Sequence, residues 1–380
     1  MTEIEFVTEH RRHLHENPEL SMNEFETTSY IIEIIESLGI DYTQPLSTGV
    51  VAYLKGNSDT TLGFRADIDA LPIHEENDIS YRSKTDGVMH ACGHDGHTAA
   101  LLLFLKRCKS LHDNGSLPHN CYFIFQPSEE TNAGAKQLID NWTDRKAIDA
   151  IFGIHIMPDE STGLALFRDN ELTASATEYK FYINGLSAHV ANKHNGKSAA
   201  QALMFITGEI TQIQQFHLDG LNRNIIHIGQ MNAGEAINTV PSNGYLEGTI
   251  RTYEEKDLSI IKNHMEKIKT SAMNLYDCEI ELTFNEGYPP VKNTPALQDI
   301  VYESVQETGL EAVIKDKPYL FGEDFSFYDE IAKTYFIFIG AEDEALGYTS
   351  SLHTSTFNFD ESVLIKVADY YESILKNYTN

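Results

Sequence analysis

Three short apolar runs break off into polar chemistry in the same way. They are Thr61 to Phe64 before Arg65-Ala66-Asp67-Ile68-Asp69, Cys121 to Phe125 before Gln126-Pro127-Ser128-Glu129-Glu130, and Ala150 to Ile154 before His155. Apolar runs this short and this continuous suit strands buried on both faces, so the chain is expected to build a mostly parallel α/β sheet covered by helices. In open α/β sheets ligands gather beyond the carboxyl ends of the strands. Three ends bearing Asp, Glu and His therefore predict one crevice lined by those groups.

Around these runs the pattern changes with position. Ser21 and Glu24 form a capping-box pair ahead of Ile31, Ile35 and Leu38, with Gly39 as a stop, which predicts a helix. The middle of the chain alternates at Tyr179, Phe181 and Ile183, then repeats helically at Leu203, Ile206, Ile210 and Ile213. Strands near Ile225 to Ile228 and Tyr245 to Thr252, a helical stripe through Leu258, Ile261, Met265 and Ile268, and an alternating Cys278, Ile280, Leu282 and Phe284 complete a β-α-β-β-α-β order. That is the ferredoxin-like sequence of elements. The expected organisation is a discontinuous first domain, residues 1–173 and 288–380, with an α+β unit inserted at 174–287. Thr294 and Pro295 open a further helix closed by Gly309. A strand at Tyr335 to Ile339 and a helix through Val363, Val367, Tyr370 and Ile374 return the chain to α/β alternation.

Composition removes several function classes. The 380 residues carry 28 Lys+Arg against 57 Asp+Glu, a net charge of −29, which excludes a basic nucleic-acid scaffold and disfavours anionic membrane. The start of the chain offers no positively flanked apolar leader, and the stretch from Ala99 to Leu105 is too short to span a bilayer. The four cysteines read as reduced thiols, and a cytoplasmic protein is expected.

The densest chemical signal is Met89-His90-Ala91-Cys92-Gly93-His94-Asp95-Gly96-His97. A cysteine and a histidine two apart share a metal when the backbone turns sharply, and glycine permits that turn. Taken singly, Cys92 is as well read as a small buried hydrophobe and His155 as a core histidine. His90 and His97 fit supporting positions better than ligation. Glu129 and Glu130 point in different directions just past a strand, so one can ligate while the other moves a proton; a solvated acidic turn is the ordinary alternative.

These pieces, together with Arg12-His13-Leu14-His15-Glu16-Asn17-Pro18-Glu19-Leu20, Ala70-Leu71-Pro72 and Leu352-His353, resemble the dinuclear-metal amidohydrolases. That group includes hippurate hydrolases, aminoacylases, indole-acetyl-amino-acid hydrolases and N-acetyl-diaminopimelate deacetylases. The resemblance implies two divalent metal ions on Cys92, His94, Glu130, His155 and His353, with Glu129 as general base and acid. Zinc or manganese suits such ligands, with cobalt or nickel as further options. It implies that the first domain is catalytic and the inserted one a lid and dimerisation domain. His189 would reach the reacting carbonyl across a homodimer interface, while Asn238 and Arg251 would hold substrate. Glu323 and Asp324 match a further motif lining the site. The lid departs from the family pattern, with Ser187-Ala188-His189 where Gly-Gly-His is common and Gly196-Lys197-Ser198 where an aspartate often follows. Asp67, Asp69 and Asp95 are expected to orient imidazoles or to form turns.

The expected function is hydrolysis of the amide bond of a small-molecule N-acyl amino acid, in its simplest form an N-acetyl one, such as N-acetyl-diaminopimelate in lysine biosynthesis. A dipeptidase or carboxypeptidase using the same metal pair is the alternative within enzymes. A non-catalytic, metal-stabilised binding protein is the alternative outside them.

Overall fold

The computed structural model describes residues 1–131 and 133–379. The chain divides into two compact units, the first Met1–Leu172, Val291–Pro318 and Asp324–Asn380, the second Thr173–Pro290 and Tyr319–Glu323.

In chain order the first unit contributes α1 (Glu3–Glu16), α2 (Phe25–Ser37), β1 (Asp41–Thr43), β2 (Val50–Leu54), β3 (Thr61–Asp67), α3 (His94–Asp113), β4 (Asn120–Gln126), α4 (Gly134–Asn141), β5 (Ala150–Ser161), β6 (Leu164–Phe167) and β7 (Asn170–Glu171). The second contributes β8 (Thr177–Asn184), α5 (Ala199–His217), β9 (Ile225–Ala233), β10 (Asn243–Arg251), α6 (Glu255–Tyr276) and β11 (Glu279–Glu286). The first resumes with β12 (Lys292–Asn293), α7 (Gln298–Glu307), β13 (Glu311–Ile314), β14 (Lys333–Glu342) and α8 (Val363–Asn377).

The first unit is built on an eight-stranded mixed sheet in the order β1-β2-β4-β3-β5-β14-β6-β13. Strands β4, β3, β5 and β14 run parallel to their neighbours in that row. The late strand β14 lies between β5 and β6, so residues from the end of the chain complete the middle of the sheet. Helix α3 is buried along its N-terminal half, from His94 through Leu105, because α1 and α8 cover it on one side and the sheet on the other. Residues 99–105, apolar all round, belong in such a place. Phe104 meets Phe64, Phe123 and Tyr371 there. Each large apolar side chain so buried stabilises the fold by roughly 1.5–3 kcal/mol.

The second unit is a four-stranded antiparallel sheet in the order β11-β8-β10-β9. Tyr179, Phe181 and Ile183 of β8 face inward and Glu178, Tyr182 and Asn184 outward, the alternation of a half-covered sheet. Helices α5 and α6 bury Ile206, Ile210, Ile261 and Met265 against the inward face. This order is that of a ferredoxin-like fold.

Two local expectations need correction. Ser21 and Glu24 do not form a capping box: α2 begins at Phe25, Glu24 makes no side-chain cap, and Ser21 Oγ donates to Asp69 Oδ2 at 2.7 Å. Both side chains turn into the unit instead of onto the helix end. Nor does β5 stop before His155. It continues to Ser161 beside β14, with His155 opposite Phe338, while its pairing with β3 ends at Arg65 and Gly153. His155 thus emerges where pairing with one neighbouring strand has ended and pairing with the other continues.

Candidate metal centre and active site

Gly93 takes φ +90, a conformation open to residues without a side chain, and this turn lets Cys92 and His94 on either side face the same space. Cys92 Sγ lies 3.3 Å from His155 Nε2. The ligand atoms of Cys92, His94 and His155 fall within 4.8 Å of one another, as do those of Cys92, Glu130 and His353. Cys92 belongs to both groups, so no two of these five residues are more than two such steps apart. His94, Glu129 and Glu130 form a third group on the same limit.

The imidazoles are oriented from behind. His94 Nδ1 donates to the carbonyl of Asp69 at 2.9 Å, and His155 Nδ1 donates to that of Ile156 at 2.7 Å. Both rings therefore present Nε2 to the shared space. His353 sits on a loop at φ +60, its amide bonded to the carbonyl of Ala91 at 2.8 Å, and its side chain is half exposed. Its Nε2 comes within 3.1 Å of Glu130 Oε1.

His97 takes a different role. Its Nδ1 donates to Asp67 Oδ1 at 2.6 Å and its Nε2 accepts from the amide of Ile156 at 3.0 Å, so both nitrogens are used. His90 is buried, burial pushes its pKa down to about 4, and neither ring nitrogen has a hydrogen-bond partner among the described residues.

The loop carrying Glu129 and Glu130 follows β4. Ser128 takes φ +60, which costs a residue with a side chain roughly 1–2 kcal/mol and persists only where its surroundings hold it. The loop packs closely against the start of α4. A Cβ on Gly134 would lie 1.9 Å from the carbonyl oxygen of Pro127, and Gly134 donates its amide to Ser128 O at 3.0 Å. The amide of Glu130 donates to Asp69 Oδ2 at 3.0 Å, and that of Asp324 lies 3.4 Å from Glu129 Oε1.

Two buried groups that the sequence left in minor roles hold this region together. Arg65 Nη1 donates to Asp67 Oδ2 and its Nη2 to Asp324 Oδ1, both at 2.8 Å, and its Nε donates to Gln126 Oε1 at 2.9 Å. Asp324 also accepts from the amide of Ala135. It buttresses the strand ends and the loop, the part that the Glu323-Asp324 motif had left undefined. The signal for Arg65 was its place inside an apolar strand, where an unpaired cation would not survive.

The electrostatics favour a cation. Burial opposes charge on His94, but Asp67 and Asp69 outweigh it and push its pKa up to about 10. Burial raises the Cys92 thiol, and Glu130 and Glu129 raise it further, so that thiol ionises when a cation displaces its proton. Among the described residues, the buried atom His94 Nε2 has no hydrogen-bond partner, and Glu130 Oε1, 4.0 Å from it, meets only the ion-pair contact with His353 Nε2 at 3.1 Å. Buried atoms of ligating types, facing one another in a negative field, fit a divalent metal.

In the second unit, the amide of Val190 donates to Asn238 O at 3.0 Å and that of Val240 to Ala188 O at 2.8 Å, placing His189 opposite Thr239, the neighbour of Asn238. His189 is exposed and its Nδ1 accepts from the amide of Ala191. Arg251 is the last of the nine residues of β10, opposite Ile225, at the end of that strand away from the Asn238 turn. Burial lowers its pKa.

A mixed α/β unit that gathers a thiol, imidazoles and carboxylates within 4.8 Å of one another is built like a metal-dependent amidohydrolase. Residues 63–377 match peptidase family M20/M25/M40, and the chain belongs to that family. It is 59% identical over 380 residues to an uncharacterized hydrolase of Staphylococcus saprophyticus, covering 100% of this chain and 99% of the relative. The Bacillus subtilis YxeP protein, a dinuclear metal binding peptidase of the M20 family, shares 30% identity with a TM-score of 0.83, covering 98% of this chain and 97% of that one. A crystal structure from methicillin-resistant Staphylococcus aureus shares 27% identity with a TM-score of 0.93 over 100% of this chain and 97% of the other.

Proposed function

We propose that this hydrolase removes an acyl group, acetyl in the simplest case, from the nitrogen of an amino acid or a related small carboxylate. N-acetyl-diaminopimelate, in lysine biosynthesis, is the specific substrate to test first. In this reading Cys92, His94, Glu130, His155 and His353 hold two divalent cations, zinc or manganese on the softness of the set. The observation that carries it is the orphaned His94 Nε2 facing Glu130 Oε1, with Cys92, His155 and His353 around them and Glu129 alongside. The dinuclear YxeP protein supports the number of ions. The first unit is then the catalytic domain and the second the lid and dimerisation domain.

When bound, such ions polarise the amide carbonyl and bring the pKa of a water toward about 7. Glu129 would take a proton from the attacking water and return it to the departing amine. His189 and Asn238 donate to the oxygen that gains charge, worth on the order of 3 kcal/mol per donor. Arg251 grips the substrate carboxylate with two parallel N–H bonds. A second copy of the chain supplies the dimer through β9, an edge strand on which Met231 is exposed beside Thr207 of α5.

The name of the family favours a second reading, a dipeptidase using the same residues. Amine release from a panel of N-acetyl-amino acids against a panel of dipeptides separates the two. The acid–base role is tested by Glu129→Gln, which should lower kcat by about 100- to 10,000-fold with bound metal unchanged. Wild-type turnover in that variant would remove Glu129 from the mechanism.

A further inference from the structure

Glu24 lies immediately before α2, far along the chain from every residue of the metal centre, and its side chain is fully buried. Burial of a carboxyl group is costly unless something is gained from it. Its Oε1 accepts a 2.8 Å hydrogen bond from the amide of Ser128, the residue at φ +60 directly before Glu129. Two residues on, the amide of Glu130 is held by Asp69. The two amides flanking Glu129 are thus each fixed by a buried acid, and the two acids come from different elements. Glu24 is itself anchored: Thr28 Oγ1 donates to its carbonyl and accepts from the amide of Gly49 at 2.8 Å.

We infer that Glu24 is a positioning residue for Glu129, holding the left-handed turn at Ser128 from which that carboxylate is presented while touching neither substrate nor cation. The inference rests on the acid–base reading of Glu129. Displacing a reacting group by about 1 Å costs on the order of 100-fold in rate, so a loosened turn should register in kcat. A neutral amide at position 24 still offers an oxygen to Ser128, whereas a methyl group does not.

The test uses the full-length chain loaded with zinc or manganese and assayed on N-acetyl-amino acids and dipeptides, with metal per chain measured alongside. Glu24→Ala should lower kcat about 10- to 100-fold, with KM and metal content at wild-type values. Glu24→Gln should stay within about threefold of wild type. In the metal-free chain, hydrogen exchange of the peptide covering residues 126–131 should accelerate about tenfold in Glu24→Ala and not in Glu24→Gln. If the alanine variant does not fold, Glu24→Asp, which withdraws the oxygen by one methylene, carries the same comparison. Unchanged kcat in Glu24→Ala, equal impairment of both variants, or a loss fully explained by lost metal overturns the inference. An active Glu129→Gln defeats the acid–base reading instead, and exchange at residues 126–131 then still decides whether Glu24 holds the turn.

Discussion

Glu24 also titrates in an unusual place. Burial, reinforced by the charge of Asp69, pushes its pKa up to about 7 from the ordinary 4.5. The folded chain therefore keeps this proton at a pH where the unfolded chain has released it. The resulting stability is present in full below about pH 4.5, declines as pH rises toward 7, and is flat above that. Its size is on the order of 3 kcal/mol. Glu24→Gln cannot titrate, so urea unfolding of the metal-free proteins should show the variant gaining on wild type between pH 5 and pH 8. A constant difference across that range would show that Glu24 does not titrate there. Asp67 is the opposite case: burial would raise its pKa, but His94, Arg65 and His97 hold it well below the carboxylate range. One carboxyl group serves as a fixed anion and the other as a neutral or charged acceptor, according to which cations face them.

At the level of elements, β9 makes the sharpest prediction. An edge strand leaves one row of backbone groups unpaired, and a lysine on such an edge blocks pairing. Light scattering should give twice the chain mass for wild type and the single-chain mass for Met231→Lys. A wild type at single-chain mass would end the dimer proposal. The same scale shows what the sequence made legible. Period-two alternation at Tyr179, Phe181 and Ile183 and the helical stripes of α5 and α6 announced the ferredoxin-like unit, because each face has a single job. Cys92 and His94 stood out as one signal, since a turn at Gly93 needs only local information, and Glu129-Glu130 as a second, after a buried strand. Glu24 was misread as a cap because its partner, the Ser128 amide, lies 104 residues away. The pairing of Arg65 with Asp324 was hidden for the same reason, at 259 residues. Long-range polar pairs leave no periodicity to read.

For the molecule as a whole, removal of metal should separate catalysis from folding. The core of the first unit rests on apolar packing of α3, α8 and the sheet, and Cys92, His94, Glu130, His155 and His353 are not part of it. Treatment with a chelator should therefore abolish hydrolysis while far-UV circular dichroism is retained, and added zinc or manganese should restore turnover. Global unfolding on chelation would instead make the metal a structural staple. No helix among the described residues is long and apolar enough to cross a membrane. The placement of β14 between β5 and β6 carries a consequence for biogenesis. A ribosome adding about 5–20 residues per second needs on the order of ten to thirty seconds to pass from Phe167 to Lys333. Throughout that interval the flank of β5 bearing Ile151, Phe152 and Ile154 waits for a neighbour not yet translated, which makes the nascent chain a natural client for a chaperone.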